Sequence, residues 1–186
     1  MNKRYLIITI VMISIISVLI VLGVKKINSK VVFTGNSSAR NLFDQARQLE
    51  AKGSLFEAKL AYQKLVNDFP ESPNVVDLQK KAEELNIKLL FSSTITPKSA
   101  VYQIKPGDTL DKIARAYKTT TELIMKSNNL NDSLIIPGRK IKIWNAPFNI
   151  LVSKSQNVLL LKSDDEVFKS YIVSTGKNNC TPPGTF

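Results

Sequence analysis

Val101–Ile143 reads "VYQIKPGDTLDKIARAYKTTTELIMKSNNLNDSLIIPGRKIKI". Tyr102 and Ile104 alternate with polar neighbours, as in a half-buried strand. Pro106-Gly107 makes a turn, and Asp108 or Thr109 caps a helix running to about Tyr117. Thr120 or Thr121 caps a second helix that ends near Ser127, where Asn128-Asn129-Leu130 breaks the pattern. Pro137-Gly138 turns the chain again, and Lys140 to Trp144 forms a closing strand. Strand, helix, helix, strand within 43 residues predicts a compact α+β unit.

"KPGDTL", then Ile113-Ala114, Tyr117, "NNL" and "LIIPGRKIKI" follow in an order and spacing that resembles the LysM domain, a module for N-acetylglucosamine polymers such as peptidoglycan and chitin. The resemblance spans the whole stretch and implies a shallow glycan groove between the loop after the first strand and the loop before the second. By matched position it assigns Gly107, Asp108, Thr109 and Leu110 to one side, and Ile135, Ile136 and Pro137 to the other. An N-acetyl group asks for an apolar floor under its methyl and backbone partners for its amide. Asp111 stands where many members of the family have Trp, so a stacking surface for a sugar face is missing.

After Pro147 the pattern turns to strands. "FNILVSK", "NVLLLKS" and "EVFKSYIVSTG" are three β-rich runs divided at Ser155-Gln156 and Asp164-Asp165, which predicts an antiparallel meander. "VSTGK" followed by "TPPGTF" resembles the opening of the L,D-transpeptidase catalytic domain, the enzymes that cross-link peptidoglycan. The resemblance implies a Cys thiolate attacking a stem-peptide carbonyl, with His as base and backbone donors at the oxyanion. In that family both residues lie beyond the PGTF turn. The sequence has no His, and its one Cys, Cys180, precedes the turn. No catalytic residue is therefore assigned, and the chain as given is expected to be inactive. An incomplete β domain over 147–186 with an unpaired apolar edge is expected to be disordered or aggregation-prone in isolation.

The net charge of +11 is unevenly placed. Residues 1–30 hold five basic groups and no acidic one, 31–97 are balanced at eight each, and 98–146 hold nine against four. Lys and Arg are not interleaved with stacking aromatics, which speaks against nucleic acid as a partner. A single Cys and no His leave no internal disulfide, no metal-ligand set and no implied cofactor. Tyr5 to Val24 is twenty residues without a charge, about the 30 Å of a bilayer core as a helix, and predicts an uncleaved single-pass membrane anchor over 5–24.

Between anchor and linker, residues 38–91 read as helices. Ser54-Leu55-Phe56-Glu57 fits a capping box after Gly53, dividing helices at 39–52 and 55–69. Pro70 ends the second, Ser72-Pro73 opens a third, and Val75, Leu78, Ala82, Leu85 and Leu89 form its apolar stripe. Gly53, Ala58, Tyr62 and Pro70 stand at the spacing of a tetratricopeptide unit, which the pair resembles, with Leu65 where that repeat prefers a small residue. Residues 92–100 read as a linker.

The expected fold class is thus multi-domain α+β: transmembrane helix, short tetratricopeptide-like module, βααβ LysM domain over 101–144, and an incomplete antiparallel β domain over 147–186. The expected protein sits in the bacterial cytoplasmic membrane with its C-terminal part extracytoplasmic, and binds peptidoglycan glycan strands. Two alternatives stand beside it: a fragment of an active L,D-transpeptidase, and a helical adaptor that engages a protein partner through residues 38–91.

Overall fold

The computed structural model describes residues 37–174 together with 176 and 184. Helix α1 spans Ser37–Ala51, α2 Leu55–Asp68 and α3 Val75–Leu90. Strand β1 (Ser99–Gln103) leads through α4 (Leu110–Ala116) and α5 (Thr121–Ser127) to β2 (Lys140–Trp144). Strands β3 (Phe148–Ser153), β4 (Val158–Ser163) and β5 (Glu166–Ile172) complete the order.

The expected membrane helix needs correction. Among the described residues no helix is long and apolar enough to cross a membrane, and 5–24, where it was expected, lies outside them. The tail from Lys177 through Pro183, with Cys180, also lies outside the described residues.

The three helices pack around Ala46, Ala58, Tyr62, Leu65, Leu78, Ala82 and Leu85, all essentially without exposure. The α1–α2 turn differs from the expected capping box. Gly53, at φ +78°, donates to Glu50 O at 3.0 Å, and the Ser54 N–H donates to Leu49 O at 3.0 Å. That pair of bonds is a Schellman ending. It holds Ser54 at φ −75°, ψ 64°, outside the extended geometry a capping side chain needs, so the hydroxyl makes no cap bond. The third helix opens at Asn74 and Val75, two residues later than expected, because the Ser72 carbonyl and hydroxyl close a local turn onto Val75 N and Asn74 N.

Strands β1 and β2 pair antiparallel, with Val101 opposite Lys142 and Ser99 opposite Trp144. Ile104, Leu110, Ile113, Ala114, Ile124, Ile141 and Ile143 form the core beneath them. Strand β2 is buried on both faces from Ile141 to Trp144. Ile141 and Ile143 belong to this core, while Trp144 joins Leu90 and Phe168 in another. The Lys142 ammonium donates to Leu89 O at 2.6 Å and Ser92 O at 2.8 Å, at the end of α3. Ser127 Oγ donates to Leu90 O at 2.7 Å.

The expected linker, 92–100, carries no helix or strand before β1 begins at Ser99. Its hydroxyls bind its own backbone: Ser99 Oγ donates to Thr96 O and accepts from Thr96 N, both at 2.9 Å. Lys98 donates to Ser163 O at 2.7 Å and pairs with Glu166 at 3.0 Å.

The meander has the expected order β3-β4-β5, antiparallel throughout. It rests on α3 through polar groups buried on that helix. Asn86 Nδ2 donates to Phe168 O at 3.1 Å, and the Glu83 carboxylate accepts from Ser170 N and Oγ at 3.2 and 2.8 Å. Phe168 meets Trp144 and Phe148 edge-on, and those two rings stack at 5.7 Å. The outer strand stays bare: Ile150 is 65% and Leu151 56% exposed.

Candidate functional site

Two Pro-Gly turns of one kind flank Ile104. In Lys105-Pro106-Gly107-Asp108 the Asp108 N–H donates to Lys105 O at 3.2 Å, with Gly107 at φ +82°. In Ile136-Pro137-Gly138-Arg139 the Arg139 N–H donates to Ile136 O at 3.2 Å, with Gly138 at φ +89°. Proline second and a positive-φ glycine third define a type II turn in each case. Ile104 ties them together: its carbonyl accepts from Gly138 N at 2.7 Å and its N–H donates to Arg139 O at 3.0 Å. The two loops expected to flank a glycan are therefore neighbours through backbone bonds alone.

Asp108 fixes the first turn. Its Oδ2 accepts from Lys105 N at 2.8 Å and from the Tyr102 hydroxyl at 2.7 Å. The Lys105 N–H above all, then Tyr102, holds this carboxyl below the ordinary aspartate range. The same hydrogen bond raises Tyr102, whose ring packs edge-on to Tyr117 at 5.8 Å. Thr109 caps α4 by accepting from Lys112 N, and the Lys112 ammonium returns to Gly107 O at 3.0 Å. Thr120 caps α5 in the same manner.

The seven expected residues divide in their roles. Gly107, Asp108, Thr109, Ile136 and Pro137 are exposed or partly exposed on the two turns. Leu110 is 2% exposed and its side chain packs in the domain core. Ile135 is partly buried against that core. Leu134, which sequence reasoning passed over, is 80% exposed beside Ile136 at 67%. The signal was present in the run Leu134-Ile135-Ile136, three apolar residues on a loop of which a core could take only the middle one. Asn128 is a second residue missed. Its side chain accepts from Lys142 N and donates to Lys142 O, both at 2.7 Å, pairing with β2 as another strand would. Asp111, in place of a family Trp, makes a two-point pair with Arg115 at 3.0 and 3.3 Å.

The LysM domain family matches residues 102–144. A protein of Bacillus licheniformis named as an L,D-transpeptidase YkuD is 34% identical over 95 residues, 46% of this chain and 57% of that protein. An N-acetylmuramoyl-L-alanine amidase sle1 of Staphylococcus epidermidis is 47% identical over 51 residues, 27% of this chain and 16% of the amidase. The chain thus spans about half the length of the first relative and far less of the second. A solved structure of a MoCVNH3 variant in complex with (N-GlcNAc)4 matches at 24% identity over 35% of this chain and 46% of that one, with a TM-score of 0.26. The order of elements, the paired turns and the family match agree: residues 102–144 are a LysM domain.

Proposed function

We propose that the protein binds N-acetylglucosamine-containing glycan of the bacterial wall, on the extracytoplasmic side, through its two Pro-Gly turns. The observation that carries this is the pair of turns clasped around Ile104 with Leu134 and Ile136 exposed beside them. Apolar side chains next to loop backbone suit an acetamido group, whose methyl seeks apolar surface and whose amide seeks a donor and an acceptor. The naming of one relative as an N-acetylmuramoyl-L-alanine amidase fits a wall-directed module. The test is titration of chitin oligosaccharides and sedimentation with peptidoglycan. Ile136→Asp places a charge on an exposed floor and should weaken binding at least tenfold. Ile150→Asp, equally exposed on β3, should leave it unchanged. Equal affinity of wild type and Ile136→Asp would overturn the assignment.

A relation to L,D-transpeptidases is the second reading. The YkuD alignment of 95 residues is more than twice the length of the LysM domain, so it takes in sequence beyond that module. On this reading the meander is the start of a catalytic domain. The given sequence contains no His, so it supplies no Cys–His pair. The helical adaptor is less favoured, because β5 already occupies the face of α3 that carries Glu83 and Asn86.

A further inference from the structure

A cavity of about 230 Å³ lies away from the two turns, bounded by α2, α3, Thr96–Lys98, the end of β2 and β5. Its walls are mainly apolar: Leu89, Trp144 and Phe168 are buried, and Leu60, 47% exposed, stands with Pro97 at the open side. A cavity of roughly 150 Å³ accepts benzene. This one has room for a ring with a short tail.

Its polar lining has more donors than acceptors. Lys59 and Lys98 converge on one carboxylate, Glu166, at 2.6 and 3.0 Å, and Gln63 Nε2 donates to the same group at 2.7 Å. A second carboxylate near Lys98, Asp164 at 3.8 Å, is half exposed and does not line the cavity. The Asn86 amide donates to Phe168 O. The Trp144 indole N–H has no acceptor among the described residues. Two ammonium groups against one carboxylate, at the edge of an apolar enclosure, favour an incoming anion with an apolar body.

We propose that this cavity is a second binding site, for a monocarboxylate bearing an aryl or branched aliphatic group. The carboxylate lies towards Lys59 and Lys98, and the apolar body lies against Leu89, Trp144 and Phe168. The proposal stands independently of glycan binding at the turns.

Trp144 is the only tryptophan of the sequence, so intrinsic fluorescence of the full chain reads this cavity directly. The probes are 4-phenylbutyrate and its neutral amide, 4-phenylbutyramide. The expected result is a saturable change with the carboxylate and at least tenfold weaker binding of the amide. Leu60→Glu adds a like charge at an exposed position of the open side and should weaken the carboxylate at least fivefold, with circular dichroism unchanged. Glu166→Gln leaves both lysines without their carboxylate and should tighten it. No saturable change with either probe, equal binding of the two, or an unaltered response in Leu60→Glu would each overturn the proposal.

Discussion

Lys142 places a cation 2% exposed, between the end of α3 and the Trp144 ring, whose centroid is 5.9 Å from the ammonium. Its hydrogen-bond partners are two carbonyls, Leu89 O and Ser92 O, and no described carboxylate pairs with it. Burial lowers its pKa from 10.5 to about 8. A cation whose folded pKa lies below its unfolded one penalises the folded state wherever both states are charged. The penalty is full below pH 8 and is relieved as pH rises towards 10.5. At about 1.4 kcal/mol per pH unit the span corresponds to roughly 3 kcal/mol, part of which the two carbonyls and the indole face offset. The perturbation is Lys142→Met, similar in length and without charge. Urea unfolding of both proteins at pH 7, 8, 9 and 10.5 gives the difference in stability, from which titrations common to both cancel. Wild type should gain roughly 1–3 kcal/mol relative to the variant over that range. A difference that stays flat with pH would refute the argument from burial. A difference that shrinks with pH would mean the carbonyls favour the ammonium more than burial opposes it.

Asn128→Ala removes both bonds to the Lys142 backbone and the one to Ile124 O, and should cost about 2–3 kcal/mol in denaturant midpoint analysis. Gly138→Ala meets no atom within 4 Å, so its cost comes from φ +89° alone and should be about 1–2 kcal/mol by thermal unfolding. Asp111→Trp gives up an exposed pair with Arg115 worth little and restores an aromatic surface beside the first turn. It should tighten chitin oligosaccharide binding severalfold by calorimetry, with stability nearly unchanged.

What the sequence made legible was local chemistry. Pro106-Gly107 and Pro137-Gly138 could only be turns, Thr109 and Thr120 were caps at recognisable spacing, and the breaks of the meander fell beside Asn157 and Asp164, both at positive φ. What escaped was decided by partners distant in sequence. Glu83 and Asn86 are polar residues on an amphipathic helix, and nothing near them reveals that β5 will bury both to 2% exposure. In "KIKIW", alternation alone presents Lys142 to solvent, yet a second layer covers that face. Ser92 to Ala100 has the composition of a linker, and nothing in it reveals that Lys98 will reach Ser163 O and Glu166. Ser54 failed as a cap because the preceding helix had already set its backbone. Leu110, at the start of α4, carries its side chain into the core, a burial that its place within the motif does not reveal.

The contacts between α3 and β5 join residues 82 and 87 positions apart, and Gln63 reaches Glu166 across 103. The LysM domain, residues 102–144, lies wholly inside that interval of sequence. Closing so long a stretch opposes folding through chain entropy, and a prefolded insert shortens the flexible length that must be closed. During synthesis at about 5–20 residues per second, Glu83 and Asn86 emerge several seconds before their partners. Until then α3 shows a face whose polar groups water can satisfy, which an all-apolar face could not offer. The polar seam, Asn86 to Phe168 O and Glu83 to Ser170, sets the register in which β5 meets α3.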